Sequence, residues 1–361
     1  MLLFLAAAAA AAQAPQTAPA TPVAVAAKTW PTKEGDVRLK DFRFGSGETL
    51  PELRIHYTTL GSPHRNAAGV IDNAVMVLHG TGGTGQQFLR PQFADELYGP
   101  GQPLDIRRYW IILPDNIGHG KSSKPSDGLR MRFPKYDYAD MVAAQHAMLQ
   151  QLGVTRLRLI MGTSMGCMHA FMWGETYPTF AKALMPLACE PIEIAGLNRM
   201  WRQLVIDGIE QDSAWHGGNY TTQPEQGLRT AESILFIAGG APLYLQAQYP
   251  TREQAKTFVE ESVAKGLKGM DANDTIYQFD SSRNYNPWPK LEAITAPVTW
   301  INSADDFINP RNLPVPQQAV KRMRNAQFRL IPESAETHGH GTHTWAKFWK
   351  DDLSALLARS R

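Results

Sequence analysis

The sequence predicts an α/β fold: a mostly parallel sheet flanked by helices, with a helical cap inserted between its strands. Three observations carry this. Short apolar runs alternate with stretches of helical periodicity, the pattern of buried parallel strands joined by crossover helices. One run, Leu159-Ile160-Met161, breaks into Gly162-Thr163-Ser164-Met165-Gly166 and passes into a helix-like stretch from Cys167 to Trp173. The segment 190–290 then loses the strand rhythm and reads as helical, with Trp201, Trp215, Tyr220, Tyr244, Tyr249, Tyr277 and Tyr285 scattered through it.

Taken in order, the chain opens with Met1-Leu2-Leu3-Phe4-Leu5 and alanines to Ala12, an apolar stretch of signal-peptide rather than membrane-spanning length. Ala12-Gln13-Ala14 has the small-x-small form of a cleavage site, although a basic n-region is missing. Residues 1–14 are therefore expected to be a signal peptide and 15–30 an Ala/Pro-rich linker. The mature chain would be exported and periplasmic, with no membrane attachment after cleavage. The core is expected in two parts, 31–189 and 291–361, separated by the cap at 190–290. Val75-Met76-Val77-Leu78 and Trp110-Ile111-Ile112-Leu113 read as buried strands, and Asp140 to Leu152 as a helix stopped by Gly153. Leu157 to Met161 and Ala183 to Ala188 read as further strands, and Val298 to Ile301 and Phe328 to Ile331 as the last two. Cys167 and Cys189, the only cysteines, fall in core elements and are expected as buried free thiols.

A tight strand-to-helix turn leaves no room for ordinary side chains beside Ser164, and Gly162 and Gly166 remove the Cβ atoms that would clash. Such a turn is the nucleophile elbow of an α/β-hydrolase fold. A serine hydroxyl needs a base and the base needs an orienting acid, supplied here in the chain order Ser, acid, His. After Ile301 the chain reads Asn302-Ser303-Ala304-Asp305-Asp306-Phe307-Ile308-Asn309-Pro310. Asp306 has the better spacing for the acid, with Asp305 as the alternative and a loop or capping carboxylate as the role of the other. Among His338, His340 and His343, His340 is expected to be the base, because Gly339 and Gly341 flank it and permit close approach. An oxyanion requires two convergent backbone donors, expected from Met165 and from Thr81 in the loop His79-Gly80-Thr81-Gly82-Gly83-Thr84-Gly85. That loop lacks the Gly-x-x-x-x-Gly-Lys pattern of a phosphate cradle.

Composition narrows the function. Charged residues are 19% of the chain and the formal net charge is +2, which gives no electrostatic case for nucleic acid or an anionic membrane. The three clustered histidines lack cysteine or carboxylate partners at ligand spacing, so no metal and no cofactor are expected. The partner is a small acyl substrate, and a homodimer is compatible with the chain.

These residues resemble the homoserine O-acetyltransferase family of α/β-hydrolase-fold enzymes over about residues 39–357. The likeness includes Asp105-Ile106-Arg107-Arg108-Tyr109-Trp110-Ile111-Ile112, the Asn116-x-Gly118-x-Gly120-Lys121-Ser122-Ser123 turn and Arg132-Phe133-Pro134. Asp140-Met141-Val142-x-x-Gln145 and the elbow itself belong to it too. In the cap it includes Asp212-x-x-Trp215-x-Gly217-Gly218-Asn219-Tyr220 and Gly227-Leu228-x-x-Ala231. The resemblance implies Ser164 as nucleophile, Asp306 as acid and His340 as base. It also implies where homoserine would be held, by an Arg, a Tyr and an Asp; here those positions are Glu232, Gly239 and Gly341. Arg to Glu turns a carboxylate-binding charge into a repelling one. An exported enzyme would also lack acetyl-CoA. The expectation is a serine hydrolase cleaving an ester, or an amide or lactone, with water as acceptor. The alternatives are an O-acyltransferase with another acceptor and a non-catalytic binding protein on the same fold.

Overall fold

A computed structural model describes residues 28–360; the expected signal segment and most of the linker lie outside them. Eight strands form one sheet: β1 (Thr32–Arg43), β2 (Thr49–Leu60), β3 (Ala74–Leu78), β4 (Trp110–Pro114), β5 (Leu159–Thr163), β6 (Leu184–Leu187), β7 (Val298–Ser303) and β8 (Ala326–Ile331). Their order is β1-β2-β4-β3-β5-β6-β7-β8. From β4 onward every pairing is parallel, whereas β1 and β2 form an antiparallel hairpin whose second strand runs antiparallel to β4. The expected strands from β3 to β8 are all present. The hairpin was not expected, and its residues explain why. In β1 only Val37 and Leu39 are buried, among charged neighbours that face solvent. A half-covered strand of this kind never forms an apolar run.

Helices α1 (Pro91–Leu97), α2 (Tyr138–Gln151) and α3 (Met165–Thr176) precede the cap. The cap carries α4 (Gly196–Glu210), α5 (Glu225–Ala238), α6 (Pro242–Gln248), α7 (Arg252–Gly266) and α8 (Ala272–Asp280). Helices α9 (Val315–Arg322) and α10 (Lys350–Arg359) close the chain. Alternate residues of β3 serve opposite faces of the sheet. Met76 and Leu78 pack with Met141, Met148 and Phe171 of α2 and α3, while Val75 and Val77 pack with Phe93, Leu97, Leu353 and Leu356 of α1 and α10. The cap has its own core of Trp201, Val205, Ile209, Leu228, Ile276 and Phe279. Helix α2 starts two residues before the expected Asp140. Asp137 caps it, accepting from the Asp140 amide at 3.1 Å while Asp140 accepts from the Asp137 amide at 3.0 Å. At the expected end of the linker, Trp30 is buried, donates to Asp95 at 3.0 Å and meets the edge of Tyr98.

The cysteines correct the sequence reading. Cys167 and Cys189 are not free thiols but form a disulfide with Cα atoms 5.8 Å apart. Strands β5 and β6 are neighbours in register, with Thr163 opposite Leu187. Cys167, in the first turn of α3, and Cys189, just past β6, therefore emerge side by side at the same sheet edge. A separation of 22 residues in sequence does not reveal that adjacency.

Candidate active site

Ser164, Asp306 and His340 all follow strands of the sheet, after β5, β7 and β8, at its C-terminal edge. Ser164 sits between β5 and α3 with φ 53° and ψ −112°, a conformation that costs a non-glycine residue about 1–3 kcal/mol. The flanking glycines permit it. A Cβ on Gly162 would lie 2.0 Å from the Gly166 carbonyl oxygen, and one on Gly166 would lie 2.1 Å from that of Leu78. Both obstacles are backbone, so neither can move aside. The Ser164 amide is fixed by the Leu187 carbonyl at 2.8 Å, which ties the turn to β6.

His340 comes from the loop after β8. Its Nε2 lies 2.8 Å from Ser164 Oγ and its Nδ1 lies 2.8 Å from Asp306 Oδ2. Asp306, in the loop after β7, is wholly buried. Its carboxylate accepts from the Ile308 amide at 2.8 Å, from the Asn309 amide at 3.3 Å and from Asn309 Nδ2 at 2.8 Å. Burial pushes this carboxyl up, but the charge and hydrogen bond of His340 and the donors from Asn309 and Ile308 outweigh it and hold it below the usual range. Asp305 points elsewhere. It accepts from Ser303 Oγ, from Thr337 Oγ1 at 2.8 Å and from the Gly339 amide at 3.0 Å, and so staples the histidine loop to the end of β7.

The other two histidines are held apart from Ser164. His343 is half-buried and bonds through Nδ1 to the His340 carbonyl; desolvation of the ring first, then His340, drives its pKa down to about 3, so it stays neutral. His338 stacks on Trp345 at 4.1 Å and meets Tyr244 at 4.3 Å. A buried neutral histidine also explains His79. Its Nδ1 donates to the Gly80 carbonyl and its Nε2 accepts from the Asn116 amide, fixing the shape of the glycine-rich loop. Within that loop a Cβ on Gly80 would lie 3.2 Å from Ser164 Cβ. Neither the Thr81 nor the Met165 amide has a protein acceptor among the described residues.

A cavity of about 520 Å³ opens over Ser164 and His340, lined on the core side by Thr81 and Gly82 and on the cap side by Trp201, Arg202, Glu232, Leu235, Gly239 and Phe279. Glu232 and Gly239, two of the three positions named from the resemblance, line this cavity. Gly341 does not. It closes a turn onto the His338 carbonyl, and a Cβ there would meet His338 rather than the cavity. Gly339, which the sequence reading credited with close approach to Ser164, is needed for another contact: its φ is 56°, and a Cβ would lie 2.4 Å from the Gly240 carbonyl of the cap. Burial raises the Glu232 carboxyl above its ordinary value, and no cation among the described residues offsets this. Arg202 escaped the sequence reading. Its one signal was a charge set on the apolar stripe Trp201, Val205, Ile206, Ile209 of α4. Among the described residues no cluster of His, Cys, Asp or Glu is arranged to hold a metal ion.

Residues 73–338 match the sequence family of the alpha/beta hydrolase fold. A probable acyltransferase of Methanothermobacter thermautotrophicus is 30% identical over 261 residues, 72% of this chain and 78% of that protein. A homoserine O-acetyltransferase of Chloroherpeton thalassium is 28% identical over 82% of this chain and 81% of its own length. Among solved structures, the homoserine O-acetyltransferase of Bacillus anthracis superposes with a TM-score of 0.80 at 21% identity, covering 91% of this chain and 98% of that one. Esterase E22 superposes with a TM-score of 0.77 at 18% identity, over 91% of this chain and all of the other. At those identities the superpositions speak for the fold alone.

Proposed function

This chain belongs to the alpha/beta hydrolase fold family and is homoserine O-acetyltransferase-like within it, and on that premise we propose that it is a serine hydrolase cleaving a carboxylic ester through an acyl-enzyme on Ser164. The observation that carries the reading is the unbroken line of hydrogen bonds from Ser164 through His340 to Asp306. With Asp306 accepting the Nδ1 proton, Nε2 is left unprotonated and faces the hydroxyl as an acceptor. Ser164 Oγ attacks the acyl carbon as Nε2 takes its proton, and the same proton passes to the leaving alkoxide. The free amides of Thr81 and Met165 are suited to the oxyanion, since donors already committed elsewhere could not serve it. Water, deprotonated by His340, then attacks the acyl-enzyme and releases the acid.

Glu232 supports water over homoserine bound in the orientation the family resemblance implies, with its carboxylate at this position. A carboxylate in the cavity wall repels the carboxylate of an amino acid by about 1 kcal/mol or more at contact. The sequence relatives bear acyltransferase names, which favours a second reading, acyl transfer to an alcohol other than homoserine. The test is mass spectrometry of products from acetyl-CoA plus homoserine, run beside acid release from a panel of esters, amides and lactones. Acid release from esters without acetylhomoserine supports the hydrolase. Rapid O-acetylhomoserine formation with no ester cleaved overturns it, and absence of both together with no fluorophosphonate labelling would leave a binding protein. We also propose export to an oxidising compartment, which the buried Cys167–Cys189 disulfide supports. N-terminal sequencing of protein from its host should find a start near Ala14, and an intact Met1 on cytoplasmic protein overturns the proposal.

A further inference from the structure

Arg202 is a buried cation without a counter-ion. It lies in the middle of α4 and is 1% exposed, yet it lines the cavity above Ser164. Its Nε donates to Asn198 Oδ1 at 2.8 Å and one Nη donates weakly to Ser282 Oγ at 3.4 Å. Both partners are neutral. The guanidinium leans on the faces of Trp201 at 4.7 Å and Phe279 at 5.9 Å. Burial pulls its pKa below the ordinary value, and what opposes that is Tyr138; no carboxylate of the protein contributes. Glu232, on the next helix and lining the same cavity, does not reach it. Buried charges in folded proteins are normally paired, because an uncompensated one is costly. Tyr138 is a further side-chain hydrogen-bond partner, so the guanidinium is held by hydroxyl and amide groups while no carboxylate balances its charge. The missing counter-charge is therefore expected to come from what fills the cavity that Arg202 lines.

We infer that the substrate is an ester carrying a carboxylate at its far end, and that Arg202 anchors that carboxylate while Ser164 attacks the ester carbonyl. This rests on the hydrolase reading above and names its substrate class. The cavity wall supports a short apolar spacer, since Trp201, Leu235, Phe279 and Ile308 are among the residues that line it. A hemiester of a dicarboxylic acid has this form: hydrolysis adds one water across the ester bond, the acyl oxygen of the distal carboxylate takes no part, and the products are the diacid and an alcohol.

The experiment compares 4-nitrophenyl hemiesters of succinate, glutarate and adipate with uncharged esters of matched chain length. In the wild-type protein the best hemiester should have a kcat/KM roughly tenfold to a hundredfold above its neutral match, the effect of a charge-assisted hydrogen bond to a buried guanidinium. In Arg202→Met this ratio should fall to about one, through KM rather than kcat, and Arg202→Lys should restore part of it. The ratio is internal to each variant, so partial misfolding changes both activities and cancels. Should Arg202→Met fail to fold at all, inhibition of wild-type neutral-ester turnover by free glutarate, compared with the uncharged diamide, gives the same answer. A wild-type ratio of one or less, with glutarate no better than its diamide, overturns the anchor while leaving the hydrolase reading intact. If no ester of either kind is cleaved and Ser164 takes no fluorophosphonate, the hydrolase reading itself has failed.

Discussion

Asp305 and Asp306 are adjacent carboxylates with opposite assignments, and exchanging each for asparagine separates them. In Asp306→Asn the new side chain keeps one oxygen for the Ile308 amide but turns its NH₂ toward His340 Nδ1 or toward Asn309. An NH₂ facing Nδ1 cannot accept its proton. His340 then carries that proton on Nε2 and presents a donor, not an acceptor, to Ser164 Oγ. Loss of the correct tautomer in such a triad lowers kcat about 10⁴-fold, which corresponds to about 5.5 kcal/mol of transition-state stabilisation. Asp305→Asn meets no reacting group. It weakens bonds to Ser303, Thr337 and the Gly339 amide, worth about 1–3 kcal/mol of stability in all. Its kcat should stay within about tenfold of wild type, since the histidine loop remains docked by other contacts. Steady-state ester hydrolysis and the rate of fluorophosphonate labelling measure the chemistry, and urea melts measure the fold. The assignment fails if Asp305→Asn is the slower enzyme, or if Asp306→Asn keeps more than about a tenth of the activity while folded.

Ser164→Ala should lower ester hydrolysis by at least about 10⁴-fold and abolish fluorophosphonate labelling while the melting temperature is retained; labelling that survives would put the nucleophile elsewhere. Glu190, just after the disulfide, accepts from Asn302 and has its carboxyl pushed up to about 8 by burial first and by Asp306 second. A carboxyl raised in the folded state stabilises fully below its unfolded pKa of about 4.5 and loses that contribution as pH rises through about 8. Glu190→Gln should flatten the decline of stability from pH 5 to 9, by a ceiling of about 5 kcal/mol, and leave a smaller slope from Glu175, raised to about 7; urea midpoints that run parallel for both proteins at every pH would refute this. Removing the disulfide as Cys167→Ala with Cys189→Ala frees a loop of 22 residues in the unfolded chain and should cost about 3 kcal/mol, read as a lower denaturant midpoint in non-reducing buffer.

What the sequence made legible was local. The five strands from β3 to β7 are short runs buried on both faces, and such runs are visible without knowing their neighbours, while the edge strand β8 shows as an alternation of exposed Gln327 and Arg329 with more enclosed apolar residues. Ser164 is legible for a steric reason, because the same five residues hold both the strained serine and the glycines that permit it. Features set by distant pairing were hidden. The β1–β2 hairpin buries one face only and rests on register, with Leu39 opposite Leu53. The disulfide depends on β5 and β6 being neighbours. Gly341 was misplaced because adjacency to His340 in sequence says nothing about which way the turn faces once Gly341 bonds back to His338. Asp305 and Asp306 could be ranked by spacing, but their partners, Thr337 and Gly339 for one and His340 for the other, lie more than 30 residues on.

The division between core and cap follows from the same physics. In the core, chemistry is held by backbone: the elbow, the two uncommitted amides and the loop shaped by His79 would serve any acyl group. In the cap, the charged side chains that line the cavity come from separate helices, Glu232 on α5 and Arg202 on α4, and the proposed substrate class rests on them. These two opposite charges share a cavity without neutralising each other. Had they paired, the wall would be electrically mute and an uncharged ester would suit it best. Left apart, each desolvated group keeps its own demand, so a ligand gains most by meeting the guanidinium and keeping its own carboxylate away from Glu232. A hemiester bound with its carboxylate on Arg202 satisfies both conditions; an amino acid satisfies them only with its ammonium at Glu232, the reverse of the pose the family resemblance implies, and the products from acetyl-CoA plus homoserine decide between the two.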